Sequence, residues 1–425
     1  MEFPLSKIRC CRSENLGCCM EIQWRDPQHF SLDPKDPGFY RNPNKAYREM
    51  HERGGPIFWE EYGMWCLVGF EAVNSCLRDK RFARLPPSGF ERKPYAAHLC
   101  DFAASEKYSL LALEPPQHTR LRRFVNRAFV SRQIETMEQE ITELAHACID
   151  TFEADGCAEL LSQFATPIPV TVIARLLGIP ESFTGQLLDW SHAMVKVYTM
   201  TQSHQDELEA NRASAEFIAF LQGQIANLRK HPDDKLLSHL INLQSENDGP
   251  TDDEIISVAI LLLNAGHEAT VHQIGNAVAT LIRNPPVNHV WWQNRSEAEK
   301  IVAECMRHDA PLHLFTRYAQ EKISLSDDVV VDAGTEIALL LGAANHCPAA
   351  FDSPQEFKPE REDGNHVSLG AGIHFCVGAP LAKLEMRIAL SALFQRLQPL
   401  RLSEEPVYRD SFHFHGLESL SVSWG

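Results

Sequence analysis

The sequence predicts a mainly α fold with small β-sheets, and three observations carry that prediction. From Pro115 to about Leu400, apolar residues recur with helical periodicity, interrupted at Asp155-Gly156, Ile179-Pro180, His231-Pro232 and Pro285-Pro286, where Gly and Pro stop helices. Within that stretch Thr251-Asp252-Asp253-Glu254 forms a capping box. The helix it opens is apolar on most faces and continues to about Arg283, before Pro285. The strand-like runs are short and scattered: Ile57–Trp59, Met64–Val68, Val329–Val331, Ile337–Leu341 and a last one at Leu417–Trp424.

Residues 1–19 hold Cys10, Cys11, Cys18 and Cys19 as a C-C-x6-C-C cluster. Such a cluster can bind metal, but no histidine or further cysteine pair stands near it, and the segment is expected to be a disordered tail. The remainder, 20–425, shows no Gly/Ser linker, repeat or low-complexity tract, so one large domain is expected. Residues 20–85 mix short helices with strands. Pro86–Leu111 is irregular and rich in Pro, Gly and aromatics, a loop length that is often functional. The 12 cysteines lack the paired spacing of a small disulfide-rich domain. Cys66, Cys76, Cys148, Cys157 and Cys305 lie in apolar or helical contexts and are expected to be buried free thiols. A formal net charge of −17 argues against nucleic acid as the main partner. No continuous apolar run approaches the roughly 20 residues that span a bilayer; Ile255–Leu263 is too short, and no secretory signal pattern is evident. The expectation is a cytoplasmic protein with no membrane contact.

The chemistry centres on Leu369-Gly370-Ala371-Gly372-Ile373-His374-Phe375-Cys376-Val377-Gly378, directly before the helical pattern Ala379–Leu397. Glycines permit close backbone approach to a flat object, and a helix N-terminus stabilises a thiolate. A thiolate so held suits a haem iron, where it favours O–O cleavage. The long helix carries Ala265-Gly266-His267-Glu268-Ala269-Thr270 at its middle: two small residues that leave room, followed by an acid that is costly to bury without a partner or a task. In Leu113–Arg123, His118 and Arg122 stand at i and i+4 on one helix face, an arrangement suited to a carboxylate. Glu304-Cys305-Met306-Arg307 is a Glu-x-x-Arg pair, followed by Pro311, Arg317 and Arg361.

With its motifs in this order over roughly residues 24–425, the chain resembles the cytochrome P450 family in its soluble, bacterial form. The resemblance implies the triangular, mainly helical fold of that family, with haem b between the long central helix and the cysteine-loop helix. It makes Cys376 the iron ligand and places Gly378 in the haem-binding loop. It makes His118, Arg122, Arg317 and His374 contacts of the haem propionates, and Glu304 with Arg307 and Arg361 a structural ion-pair network. It places Ala265 and Gly266 over the haem, where O2 binds, and assigns proton delivery to the acid–threonine position. There the chain departs from the family: Ala269 follows Glu268, and Thr270 comes one place later. One residue turns a helical side chain by about 100°, so Thr270 is no simple substitute. Glu268, ordered water or a substrate hydroxyl can serve instead. Leu369 is a second departure, standing where the family usually has phenylalanine.

The implied activity is insertion of one oxygen atom from O2 into a small to medium hydrophobic organic molecule. The implied substrate contacts are the Pro86–Leu111 loop, Leu262, Ala265, Leu312-His313-Leu314 and Phe412-His413-Phe414, with His313 and His413 as possible polar anchors. Electrons are expected from a separate ferredoxin and ferredoxin reductase. Arg120, Arg123, Arg127, Lys383 and Arg387 would form a basic patch that attracts an acidic ferredoxin. A monomer is expected. Ala269 motivates an alternative, a peroxide-driven or non-oxygenase haem-thiolate reaction; a haem-based binding or sensing protein is a third reading.

Overall fold

A 32-residue helix, Asp252–Arg283, runs through the interior, about 48 Å long at the standard rise. Its start is fixed as the sequence predicts: the Thr251 hydroxyl accepts the Glu254 N–H, and the Glu254 carboxylate accepts the Thr251 N–H at 2.8 Å. Three acids in the first turn complement the helix dipole. The computed structural model describes residues 21–90, 94–128, 134, 136–198, 202–284, 289–362 and 365–425. The expected tail at 1–19, with its cysteine cluster, lies outside the described residues. Helices Cys100–Glu106, Pro167–Leu177, Thr184–Val195, His204–Leu228, Arg295–His308 and Ala379–Arg396 pack around the central helix and cover its apolar faces. This helix is long and apolar enough to cross a membrane, yet it is mostly buried within the protein. Counting only continuous apolar residues misses its length, because Asn264, His267 and Glu268 interrupt the run without interrupting the helix.

The β structure sits to one side. The largest sheet has seven short strands in the order 23–24, 29–31, 57–59, 64–67, 336–340, 314–319 and 82–83. Strand 336–340 lies parallel to 64–67 and antiparallel to 314–319. One face of this sheet buries Ile57, Trp59 and Cys66, and the other buries Leu67, Ile337 and Leu339.

The C-terminal strand differs from expectation: it is two strands in two sheets. Residues 417–419 pair with 407–408, while 421–423 pair with 401–402 and 157–159. Leu420 is the pivot. Its N–H donates to Glu159 at 2.9 Å, and its carbonyl accepts the Leu160 N–H at 2.9 Å, so the backbone is tied across just where the chain changes sheet. Cys157 also departs from expectation. It is exposed because Ala158, the middle residue of its three-residue strand, takes the inward position. Cys148 is half-buried, whereas Cys66, Cys76 and Cys305 are buried free thiols as expected.

Glu304 and Arg307 form a buried two-contact ion pair at 2.7 and 2.8 Å, and Arg361 adds a third contact at 3.0 Å. Arg307 also donates to the carbonyls of Asn345 and Pro354. The Asn345 side chain continues the network to the Val367 N–H and the Ser368 hydroxyl, immediately before the cysteine loop. The pair thus anchors the segment that leads into Cys376. Glu304→Ala strands two guanidinium groups in the interior. It is expected to cost about 3–5 kcal/mol, read as a lower midpoint in urea unfolding.

Candidate functional site

The cysteine loop is shaped by two glycines in left-handed conformation, Gly370 at φ +69° and Gly372 at φ +68°. At Gly372 a Cβ would lie 2.4 Å from the Leu77 carbonyl oxygen, so only glycine lets the loop rest on helix Phe70–Arg78. Gly378 has ordinary φ and serves as the N-cap of helix Ala379–Arg396, whose Pro380 suits a first turn. The Cys376 N–H donates to the Leu369 carbonyl at 2.9 Å and closes the loop, while the Leu369 side chain packs against the core. Cys376 is half-buried. Burial pushes its thiol pKa up, opposed by the Gly378 and Ala379 N–H groups and by the Arg122 charge. A bound metal would complete what these donors begin and deprotonate the sulfur.

Basic groups collect beside the sulfur. His118 is buried, and its Nε2 has no hydrogen-bond partner. Burial and the neighbouring His374 and Arg122 push its pKa down to about 4. The two imidazole rings lie 4.4 Å apart. Arg122 donates to the Phe375 carbonyl, next to Cys376. Arg317 is buried; its guanidinium donates to the Thr316 carbonyl at 2.8 Å, and no carboxylate pairs with it among the described residues. Burial, then repulsion by Arg84, lowers its pKa to about 10. His374 lies 3.3 Å from Glu114, which also accepts the Arg84 N–H at 2.6 Å. Burial alone would raise the Glu114 pKa, but these two bonds hold it below the usual range. A buried arginine lacking an acid and a buried imidazole lacking a partner are the polar groups that an incoming carboxylate would satisfy. Arg84 and Glu114 belong to this cluster. Nothing in their spacing marks them, because strand pairing and the loop at 111–114 bring them in.

The central helix has one uncovered place. Ala265 is exposed, and Gly266 and Ala269 are half-buried, within a helix otherwise buried on nearly every side. Residues 265, 266 and 269 share a face, so Ala269 belongs to the open wall. Thr270 does not: it is buried, and its hydroxyl donates to the Gly266 carbonyl at 2.8 Å.

Glu268 is buried among basic groups. The Arg409 guanidinium lies 2.6 Å from one carboxylate oxygen, with His272 at 3.3 Å. His267 and His192 lie 3.6 and 3.7 Å from the other. Burial opposes ionisation of Glu268, yet His272, Arg409 and His267 together hold its pKa well below the carboxylate range. The acid is therefore ionised at neutral pH. Arg409 is invisible as its partner in the sequence, 141 residues away. Glu385, on the cysteine helix, is the opposite case: wholly buried and pushed up to about 8, it is mostly protonated at neutral pH.

The expected substrate segments meet in part. Leu312 pairs with Phe414 in a β-bridge. His313, offered as a substrate anchor, is buried, with its nitrogens 2.5 Å from the Tyr47 hydroxyl and 2.9 Å from the Ala310 carbonyl, which makes it structural. His413 is half-buried with its pKa pushed down to about 4 by burial. In the expected basic patch Arg120 pairs with Glu254, Arg127 with Glu246 and Arg387 with Glu138. Among the described residues Arg123 and Lys383 have no carboxylate partner, so the patch is weaker than its sequence suggests.

The family model for cytochrome P450 matches residues 37–290 and 292–413. The biotin biosynthesis cytochrome P450 of Bacillus subtilis (strain 168) is 32% identical, over 91% of this chain and 97% of its own. The 6-deoxyerythronolide B hydroxylase of Saccharopolyspora erythraea is 30% identical, over 92% of this chain and 98% of its own. Among solved structures, P450BioI in complex with an acyl carrier protein ligated to hexadec-9Z-enoic acid superposes with a TM-score of 0.84 at 31% identity, covering 91% of this chain and all of that one.

The Glu268 cluster makes a prediction about stability. A depressed carboxylate pKa stabilises the fold above the ordinary value of 4.5 and loses that contribution as pH falls below it. Arg409→Ala should therefore destabilise the protein at neutral pH, and the difference from the parent should shrink in acid. About 2 kcal/mol is expected at neutral pH, less than for a fully buried pair because the Arg409 side chain is 42% exposed. Urea unfolding at a series of pH values measures it.

Proposed function

The chain belongs to the cytochrome P450 family, and from that premise we propose an O2-dependent haem-thiolate monooxygenase. It inserts one oxygen atom into a small to medium hydrophobic organic substrate, using electrons from separate redox proteins. The observation that carries this reading is the pairing of a cysteine at a helix entrance with a basic cluster in which buried Arg317 and His118 have no carboxylate bonded to them, beside a central helix that leaves one face uncovered.

The prosthetic group in this reading is haem b. Cys376 is its iron ligand, with the Gly378 and Ala379 N–H groups holding the negative charge on sulfur. His118, Arg122, Arg317 and His374 take its carboxylates, and the orphaned Nε2 of His118 and the acid-free Arg317 are the groups that gain most. Such a group, once bound, supplies O2 activation and electron storage. The protein supplies the rest. Ala265 and Gly266 leave room on the helix wall, and the apolar side chains Leu262 and Leu312 with Phe414 favour an apolar substrate.

Proton supply follows from the Glu268 cluster. Because Glu268 is ionised, it acts as an acceptor that passes protons on, and the half-exposed His192 and Arg409 stand between it and solvent. Ala269 leaves the open wall without a hydroxyl. Water, or a hydroxyl of the substrate, fills that role, and Thr270 stays engaged with Gly266. A peroxide-driven or non-oxygenase reaction and a sensing role are not favoured, since relatives across nearly the whole chain include an enzyme named as a hydroxylase. The redox partners in this reading are a ferredoxin and its reductase, drawn to the exposed Arg123 and Lys383. The protein works as a cytoplasmic monomer, with one haem domain beginning near residue 20.

Two experiments test this. With ferredoxin, its reductase and NADH supplied, a hydrophobic compound that displaces water from the iron should be converted to a product one oxygen atom heavier, with label from 18O2. Efficient turnover by hydrogen peroxide with no coupled turnover on any such compound would overturn the reading. Ala269→Thr should shift the fraction of NADH electrons recovered in product by several-fold, with little change in substrate binding. An unchanged fraction would show that a hydroxyl on this wall is irrelevant to proton supply.

A further inference from the structure

We propose that His98, His204 and Glu207 form a binding site for a zinc-type divalent metal ion, which staples the 97–106 segment to the helix His204–Leu228. His204 and Glu207 stand at i and i+3 on the first turn of that helix and share a face. The turn is rigid, because Ser203 and Asp206 close a full capping box. His98 arrives from the short 3-10 turn Ala97–Leu99. Its Nε2 lies 2.7 Å from the Glu207 carboxylate oxygen Oε2, and the His204 Nδ1 lies 3.5 Å from the same atom. The two imidazoles meet edge to face with centroids 4.6 Å apart. All three donor atoms lie within 4.8 Å of one another.

Two imidazoles and one carboxylate are a zinc ligand set that leaves a position for water. The side chains are 30%, 68% and 22% exposed for His98, His204 and Glu207, so an ion can reach them from solvent. Little ordering is needed, since Asn211 already pins the same two pieces together. Its side chain accepts the Asp101 and Phe102 N–H groups at 2.8 and 3.1 Å and donates to Asp101 at 3.0 Å. Two other clusters of potential ligands are weaker candidates. His192, His267 and Glu268 share their carboxylate with Arg409, and both nitrogens of His313 in the Asp309–His313–His415 group are engaged.

The 97–106 segment, a short turn followed by helix Cys100–Glu106, packs on both helix His204–Leu228 and the central helix, and an ion at this point would cross-link its first turn to His204–Leu228. The site itself does not depend on the reaction proposed above.

The test uses the full-length, haem-loaded protein with Cys10, Cys11, Cys18 and Cys19 changed to Ser, which removes a competing thiolate cluster. Equilibrium dialysis against low-micromolar ZnCl2, with zinc and iron measured by elemental analysis, is compared with the same protein carrying His98→Gln and His204→Gln. The parent should retain one more zinc per haem iron, and zinc should slow amide exchange in 97–106 in the parent alone. Glu207→Gln, which preserves side-chain shape, should weaken zinc binding by at least about tenfold while leaving the haem absorbance unchanged. Equal zinc retention in parent and variants would overturn the proposal, as would zinc binding that leaves exchange in 97–106 unaltered.

Discussion

The structure depends on one constraint: a helix of 32 residues is buried on nearly every side, yet one short face of it is left uncovered by the protein's own side chains. Apolar surface left uncovered forgoes roughly 25 cal/mol for each Å2 that could have been buried. The bare face is therefore confined to small residues, Ala265, Gly266 and Ala269, which forgo little. The neighbouring helices cover the remaining faces, and the cysteine loop is fixed by Gly372 lying flush on Leu77 and Arg78.

Buried charge is handled in three distinct ways. Glu304 is matched by two guanidinium groups and a backbone N–H, a closed network whose purpose is architecture. Glu268 is matched by one arginine and surrounded by imidazoles with unbonded nitrogens, an arrangement that holds charge while leaving room for protons to move. Arg317 and His118 are left unmatched, and a missing partner of opposite charge is what distinguishes a binding site from a scaffold. The same residue types thus carry different roles, and the difference lies in whether the local charge is already balanced.

Part of the candidate site was legible in the sequence. The family resemblance marked Cys376, His118, Arg122, Arg317 and His374 as candidates, and the central helix was readable from its capping box and the proline beyond it. Glu268 was readable as a buried acid, but not as one ionised at neutral pH, because its partner Arg409 is supplied by the residue just after strand 407–408, near the C-terminus. His313 looked like a substrate anchor next to apolar residues. Tyr47, contributed by a helix 266 residues earlier, makes it structural. The C-terminal strand looked single, although Leu417 and Leu420 are three apart and alternation begins only at Leu420; the ties to residues 159–160 mark the point where the chain changes sheet.

By itself the sequence determined what short-range physics controls: where helices start and stop, which glycines must turn the chain, and which cysteine sits at a helix entrance. Those features depend on neighbours within a few residues, so their signals are local. The tertiary structure alone decided which charges are compensated, since the Arg409–Glu268 and Arg120–Glu254 pairs and the His98–Glu207 contact all join residues more than a hundred positions apart. It also decided that Ala269 faces the gap while the Thr270 hydroxyl turns back to the Gly266 carbonyl. Helical geometry fixes the angle between those two side chains, but only the surrounding helices determine which of the two directions is left open.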